Sequence, residues 1–232
     1  MAFQEKSLPN KQKTPLLNEH SHLRLGIIGL GHMGGYHASA SKLIPSISLV
    51  GIADTQEKNW AKITDPSIFK TTDYTQLLNL VDAVIIAVPT DFHYEVTKTC
   101  LEHKKHVLLE KPLTKNIAQA QELFDIAKHN NVALHVGHIE RFNGAVQELK
   151  KIIHEPYLIE SHRIGPFSPR VQNDSVILDL MIHDLDIIVG LVGSPVKTVN
   201  VIGKKVVSTL TDIASVQFRA VAVELHFSVN RK

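Results

Sequence analysis

Cysteine is nearly missing from this chain. Cys100 is the only one in 232 residues, so no internal disulfide framework can form, and such usage suits a reducing, cytoplasmic setting. Within its helical pattern Cys100 reads as a small apolar residue. Long apolar runs are missing too: none approaches the roughly 20 residues a membrane span requires, and no membrane partner is expected. Charge of one sign is not in excess. Lys and Arg number 25 against 23 acids, for a net charge of +2, and the basic residues are scattered. No strong field therefore draws nucleic acid or an anionic surface. The first 22 residues lack an apolar signal core and read, with Pro9 and Pro15, as a loose polar tail. No internal repeat or low-complexity tract occurs. Histidine is abundant, at 14, but pairs such as His103/His106 and His135/His138 lie on different predicted elements. They lack cysteine or clustered carboxylate partners, so no metal site is expected.

What is present begins at Leu23. The stretch L-R-L-G-I-I-G-L-G-H-M-G-G-Y-H runs an apolar strand into Gly29, Gly31 and Gly34. Asp54 follows twenty residues after Gly34, at the end of a second apolar run, I-S-L-V-G-I-A-D. This is the dinucleotide-binding layout in its required strand, helix, strand and acid context. Gly29 allows the tight turn, Gly31 lets the backbone approach a pyrophosphate, and Gly34 lets the helix pack close to the strand. The N–H groups at the helix start face the negative charge. Asp54 would accept hydrogen bonds from the adenosine ribose and repel a 2′-phosphate, which favours NAD over NADP. The other reading of Asp54 is a turn acid after a strand.

Apolar strand-like runs alternate with helical patterns through 23–140, the sign of βαβ units and a parallel sheet. Strands are predicted at 24–28, 48–53, 68–71, 82–88, 106–109 and 132–136. Helices are predicted at 33–43, 74–80, 92–103 and 117–130. Right-handed crossovers then give a doubly wound Rossmann sheet. Past residue 140 the pattern changes. A helix at 145–153, a strand at 157–164, a loop with Pro166 and Pro169, and a long helix at 176–192 precede period-two strands over 197–229. The expected fold class is α/β: residues 23–140 as a dinucleotide-binding domain, then 141–232 as an incomplete α+β domain with antiparallel strands.

In open α/β sheets ligands bind at the carboxyl ends of the strands, and Gly29, Asp54, Pro89, Thr90 and Lys111 all fall there. An ammonium at Lys111 can stabilise negative charge developing on an alcohol oxygen; a solvated strand-end lysine is the other reading. Asp179 and His183 are four apart, so on an α-helix they share one face. The carboxylate can then orient the imidazole and leave its other nitrogen free as acid or base. Arg141 and Asn143 at the domain junction can hold substrate oxygens or a phosphate, with a junction salt bridge as the alternative.

Taken together, G-L-G-H-M-G-G-Y-H, then A-V-P-T-D-F-H, then L-L-E-K-P, then D-L-M-I-H-D closely resemble the Gfo/Idh/MocA oxidoreductases over residues 23–199. That resemblance implies an NAD-dependent dehydrogenase acting on CH–OH. It implies cofactor contacts at Gly29, Gly31, His32, Met33, Gly34, Asp54, Pro89, Thr90, His93, Glu110 and Lys111, and catalysis by Lys111, His183 and Asp179. In the implied reaction the hydroxyl proton goes to His183, or to Lys111 through a relay, while Lys111 steadies the alkoxide and Asp179 orients His183.

Three further segments, I-E-R-F-N-G-A-V, S-H-R-I-G-P-F-S-P-R and V-I-L-D-L-M-I-H-D-L-D-I-I, are similar to the UDP-N-acetylglucosamine 3-dehydrogenase branch of that family. This implies a sugar or sugar-nucleotide substrate, oxidised at the 3-hydroxyl, with Arg163 and Arg170 beside its diphosphate. A polyol dehydrogenase of the inositol type and an inactive NAD-binding protein are the alternatives. Members of the family continue through a larger sheet that commonly carries the oligomer interface. This chain is therefore expected to end on an unpaired apolar strand, with a homo-oligomer through the C-terminal sheet as the expected assembly.

Overall fold

The computed structural model describes residues 22–166, 174–220 and 224–231. The expected tail and Arg170 lie outside them. Six strands form one sheet: β1 (Leu23–Ile28), β2 (Ile47–Ala53), β3 (Phe69–Thr71), β4 (Ala83–Ile86), β5 (His106–Leu109) and β6 (Leu134–Val136). Their order is β3-β2-β1-β4-β5-β6, and every pairing is parallel. The order reverses direction between β1 and β4, which opens a crevice at their carboxyl ends.

Alternation in β1 sends side chains to two cores. Ile27 packs with Leu25, Ile52 and Ala38 of α1 (His32–Ser41). Ile28 packs on the other face with Cys100 and Leu101 of α2 (His93–Glu102) and Leu123 of α3 (Ile117–His129). Strand β4, Ala-Val-Ile-Ile, is buried at all four positions, as a central parallel strand requires. Burial pushes the Cys100 thiol up to about 12, so it behaves as the apolar filler its pattern suggested. The predicted helix at 74–80 shortens to a 3₁₀ turn, Tyr74–Leu77, capped by the Asp73 side chain on Thr75 N–H. A second 3₁₀ turn, Glu57–Lys62, was not anticipated.

After α4 (Gly144–Ile152), a second sheet of four strands follows: β7 (Leu158–Gly165), β8 (Val196–Lys204), β9 (Ile213–Ala220) and β10 (Glu224–Arg231). Between β7 and β8 lie a π-helical segment, Ile177–Met181, and α5 (Ile182–Val192), which ends at Gly193 in the left-handed region with φ 62°. The order is β7-β10-β9-β8. The expected antiparallel strands are present, in the pairs β8–β9 and β9–β10, and β10 also runs parallel to β7. One expectation changes. The last strand is not an edge: it inserts between β7 and β9, so its backbone groups are paired on both sides. Leu225, Phe227 and Val229 of β10 face Met181 and Ile188, which gives this sheet its own core. Among the described residues, no helix is long and apolar enough to cross a membrane.

Candidate functional site

The turn from β1 into α1 behaves as its three glycines require. Gly29 has φ 89°, and a Cβ there would sit 2.6 Å from the Ala87 carbonyl oxygen. A Cβ on Gly34 would lie 1.9 Å from the Gly29 carbonyl oxygen, so only glycine lets α1 approach the strand this closely. A Cβ on Gly31 would meet nothing within 4 Å, because Gly31 borders open space. That space is a cavity of about 660 Å³, lined by Gly29, Gly31, His32, Met33, Asp54 and Pro89 among others. Its size, its glycine floor and the acid at its far end fit a dinucleotide whose pyrophosphate lies over the helix start.

Asp54 is tightly held. Its Oδ2 accepts from the Leu30 N–H at 2.7 Å and from Asn59 Nδ2 at 3.0 Å, and its Oδ1 accepts from the Gln56 N–H at 2.8 Å. The acid is thus tied to the glycine turn it serves. Neither Asn59 nor Gln56 was identified from sequence, because their chemistry depends on a 3₁₀ turn that carries no hydrophobic periodicity.

A second cavity, about 440 Å³, adjoins the first and shares Met33, Ala87, Val88 and Pro89 with it. Lys111 from the end of β5 and His183 from α5 both line it, as do Asp179 and Asp174. The end of a strand of the first sheet and the helix packed on the second sheet therefore contribute to one chamber. The Lys111–Pro112 peptide is cis. Lys111 Nζ donates to the Asp179 carbonyl oxygen at 2.7 Å and to Asp179 Oδ1 at 3.2 Å. Two of its three hydrogens are so engaged, and among the described residues the third is left for a ligand oxygen.

The expected Asp179–His183 pair is corrected by this geometry. Asp179 sits in the π-helical segment, where the wider turn takes it off the α-helical i, i+4 row, and its carboxylate meets Lys111 instead. His183 Nδ1 is buried with no hydrogen-bond partner among the described residues. Burial, followed by the Lys111 and Arg163 charges, holds the His183 pKa below its usual value, so the ring is a neutral base at neutral pH.

Three residues expected at the cofactor, Thr90, His93 and Glu110, line the second cavity and also bond to the protein. Glu110 is buried and meets His37 Nε2 at 2.6 Å, which ties α1 to the end of β5; Gly137 leaves room for that carboxylate. His93 is buried, with Nδ1 2.6 Å from the Pro112 carbonyl and Nε2 3.0 Å from the Val88 carbonyl. It holds the ends of β4 and β5 together at the cavity wall. Thr90 donates to Asp174 Oδ2 at 2.8 Å, and Lys115 lies 3.4 Å from Asp174 Oδ1. This clasp across the two units was not visible in the sequence.

The arginines are also redirected. Arg141 forms a two-pronged ion pair with Asp186, and Arg163 another with Asp184, both bonds at 2.8 Å. Asn143 caps α4 on the Ala145 N–H and donates to Glu140. None of the three lines the chamber of Lys111 and His183. Acids on α5 engage both guanidinium groups, and for Arg141 this is the junction salt bridge named as the alternative reading.

Comparison with known proteins agrees with this architecture. Residues 23–138 match the family model described as oxidoreductase family, NAD-binding Rossmann fold. UDP-N-acetylglucosamine 3-dehydrogenase of Acidithiobacillus ferrooxidans is 35% identical over 198 residues, which is 84% of this chain and 62% of that protein. Myo-inositol 2-dehydrogenase of Thermotoga maritima is 29% identical over 192 residues, 76% of this chain and 57% of its own length. A solved structure of the Acidithiobacillus ferrooxidans enzyme superposes with a TM-score of 0.83 at 31% identity, over 90% of this chain and 70% of that one. The chain thus spans about three fifths of the length of the curated relatives it matches. With the glycine turn, Asp54 and the parallel sheet all in place, it belongs to the Gfo/Idh/MocA oxidoreductase family with its NAD-binding Rossmann fold.

Proposed function

We propose that this protein is an NAD-dependent dehydrogenase that acts on a secondary hydroxyl of a sugar or sugar nucleotide, with the 3-hydroxyl of UDP-N-acetylglucosamine as first choice. One observation carries the reading: Lys111, at the end of β5, and His183, on α5, line one chamber that adjoins the dinucleotide cavity. NAD, when bound in the first cavity, would supply the hydride acceptor; position and charge come from the protein. The His183 imidazole, kept neutral by burial, takes the hydroxyl proton. The remaining N–H of Lys111 donates to the substrate oxygen and steadies it as charge develops. Asp179 holds the ammonium at two points, so little reorganisation is needed. The Thr90–Asp174 hydrogen bond keeps the two walls of the chamber together.

The sugar-nucleotide choice is supported by the relative at 35% identity. A polyol substrate is the second reading, supported by the inositol dehydrogenase among the relatives. A cytoplasmic setting, supported by the single buried thiol, belongs to the proposal. So does a homo-oligomer through the second sheet, supported by the exposed Val199, Val201 and Ile202 of β8. Incubating the full chain with NAD and either UDP-sugars or free polyols, with NADH formation as readout, tests the reading. Reduction by UDP-N-acetylglucosamine supports it. Reduction by polyols alone selects the second reading, and NADH binding without any turnover refutes both.

A further inference from the structure

The lone pairs of Asp54 are largely engaged by the protein itself. A carboxylate oxygen offers two acceptor directions. Oδ2 uses both, on the Leu30 N–H and on Asn59 Nδ2, and Oδ1 uses one, on the Gln56 N–H. One acceptor direction remains. The adenosine ribose brings two adjacent hydroxyl donors, and Asp54 with its present partners can take only one of them. The backbone donors are fixed by the glycine turn and by the 3₁₀ turn that follows β2. Rearranging the carboxylate would leave a part-buried N–H without its acceptor, which is costly.

The second hydroxyl therefore needs another group within reach of the same diol. Asn59 satisfies the requirement. It lines the dinucleotide cavity, is partly buried, and its amide is held against Asp54 through Nδ2. Among the described residues no hydrogen bond uses its amide oxygen. We propose that Asn59 is a second ribose-binding residue: Nδ2 locks Oδ2 of Asp54, the amide oxygen accepts one ribose hydroxyl, and Oδ1 of Asp54 accepts the other. The sequence motif supplies one acid for two hydroxyls; the 3₁₀ turn Glu57–Lys62 supplies the missing acceptor. This rests on NAD occupying the first cavity.

The test is equilibrium binding to the full chain, read by NADH fluorescence and by calorimetry. The probes are NADH and its analogues lacking the 2′- or the 3′-hydroxyl of the adenosine ribose. In the unaltered protein each analogue should bind about fivefold more weakly, the worth of one hydrogen bond. Asn59→Leu, close to asparagine in size but without an acceptor, still covers Oδ2 of Asp54; it should weaken NADH by about the same factor and abolish the penalty for removing one hydroxyl while keeping the other. It loses one part-buried hydrogen bond, so its melting temperature without ligand should fall by only about 2–4 °C. If Asn59→Leu retains both penalties, or if the unaltered protein responds to only one hydroxyl, the inference is overturned. Asp54→Ala separates the two levels. Weakened NADH binding in that variant keeps the cavity assignment while the Asn59 role stands or falls alone; unchanged binding removes the cavity assignment itself.

Discussion

Lys111 is gripped by Asp179 twice, through the backbone carbonyl at 2.7 Å and through Oδ1 at 3.2 Å. The carbonyl reaches the ammonium because Asp179 lies in a π-helical segment, a feature that often marks functional sites. The lysine comes from the end of β5 and the acid from the π-helical segment packed on the second sheet, so this contact joins the two units at the chamber that both line.

Lys111→Ala should lower turnover about a hundredfold or more, the usual cost of removing a donor to a developing oxyanion, while the Kd for NADH moves less than about threefold. Asp179→Asn keeps the carbonyl bond and loses only the charged one, so kcat should fall by a smaller factor, about tenfold. Steady-state kinetics with parallel NADH titration measures both. Equal losses in the two variants would show that the carbonyl contact contributes nothing.

The glycine turn separates folding from binding. Gly34→Ala puts a Cβ 1.9 Å from a carbonyl oxygen, and α1 must shift. A loss of about 3 kcal/mol is expected, or about 6–12 °C in Tm for a chain of this size. Gly31→Ala meets nothing within 4 Å and should leave Tm unchanged. Its methyl group enters the cavity where the backbone approaches a pyrophosphate, so NADH binding should weaken at least tenfold. Melting curves and titrations of the two variants check both halves.

Acidification has a definite sign. Burial, ahead of the neighbouring cations, holds the pKa of His183 down, and burial holds that of His138 down as well. In the unfolded chain both titrate near 6.5. The unfolded state therefore binds more protons as pH falls through that value, so the stability present above it is lost toward the lower folded-state pKa values. Burial pushes the Asp186 carboxyl up, but the Arg141 bond and the neighbouring positive charges together hold it below the usual carboxylate range, so it contributes only at lower pH. Tm should fall between about pH 7 and pH 5, and His183→Asn should flatten part of that slope. The proton-accepting form of His183 persists at neutral pH, so the acid limb of kcat should lie below about 6.5. An acid limb above 7 would remove His183 as the base.

The parallel sheet was readable because its signals are local. The strand, Gly29, Gly34 and Asp54 lie within about thirty residues, and β4 announces itself as an unbroken apolar run. What escaped was set by contacts distant in sequence or by departures from ideal helices. Asp179 to His183 has α-helical spacing, yet the π turn sends the carboxylate to Lys111, 68 residues away in sequence. Glu110 lines the second cavity beside Lys111, but its contact with His37, 73 residues away in sequence, follows only from the fold. The position of β10 between β7 and β9 depends on pairing across 66 residues, which alternation along the strand cannot encode.

The Arg163–Asp184 pair offers the sharpest test of whether an arginine expected at a substrate diphosphate acts there. Its two 2.8 Å bonds leave the Asp184 side chain about 10% exposed and the Arg163 side chain 33% exposed. Removing the guanidinium strands a buried carboxylate, which costs about 3–5 kcal/mol when both partners are deep. Partial exposure of Arg163 lowers the expected loss to about 2 kcal/mol, or about 4–8 °C in Tm. Arg163→Met combined with Asp184→Leu leaves no orphan charge and should recover most of that loss. In this folded double variant the KM for UDP-N-acetylglucosamine should stay within about twofold of the unaltered protein if the arginine only packs α5 against β7. A tenfold rise in KM with kcat unchanged would mean that about 1.4 kcal/mol of uniform substrate binding had gone, and would return Arg163 to the diphosphate.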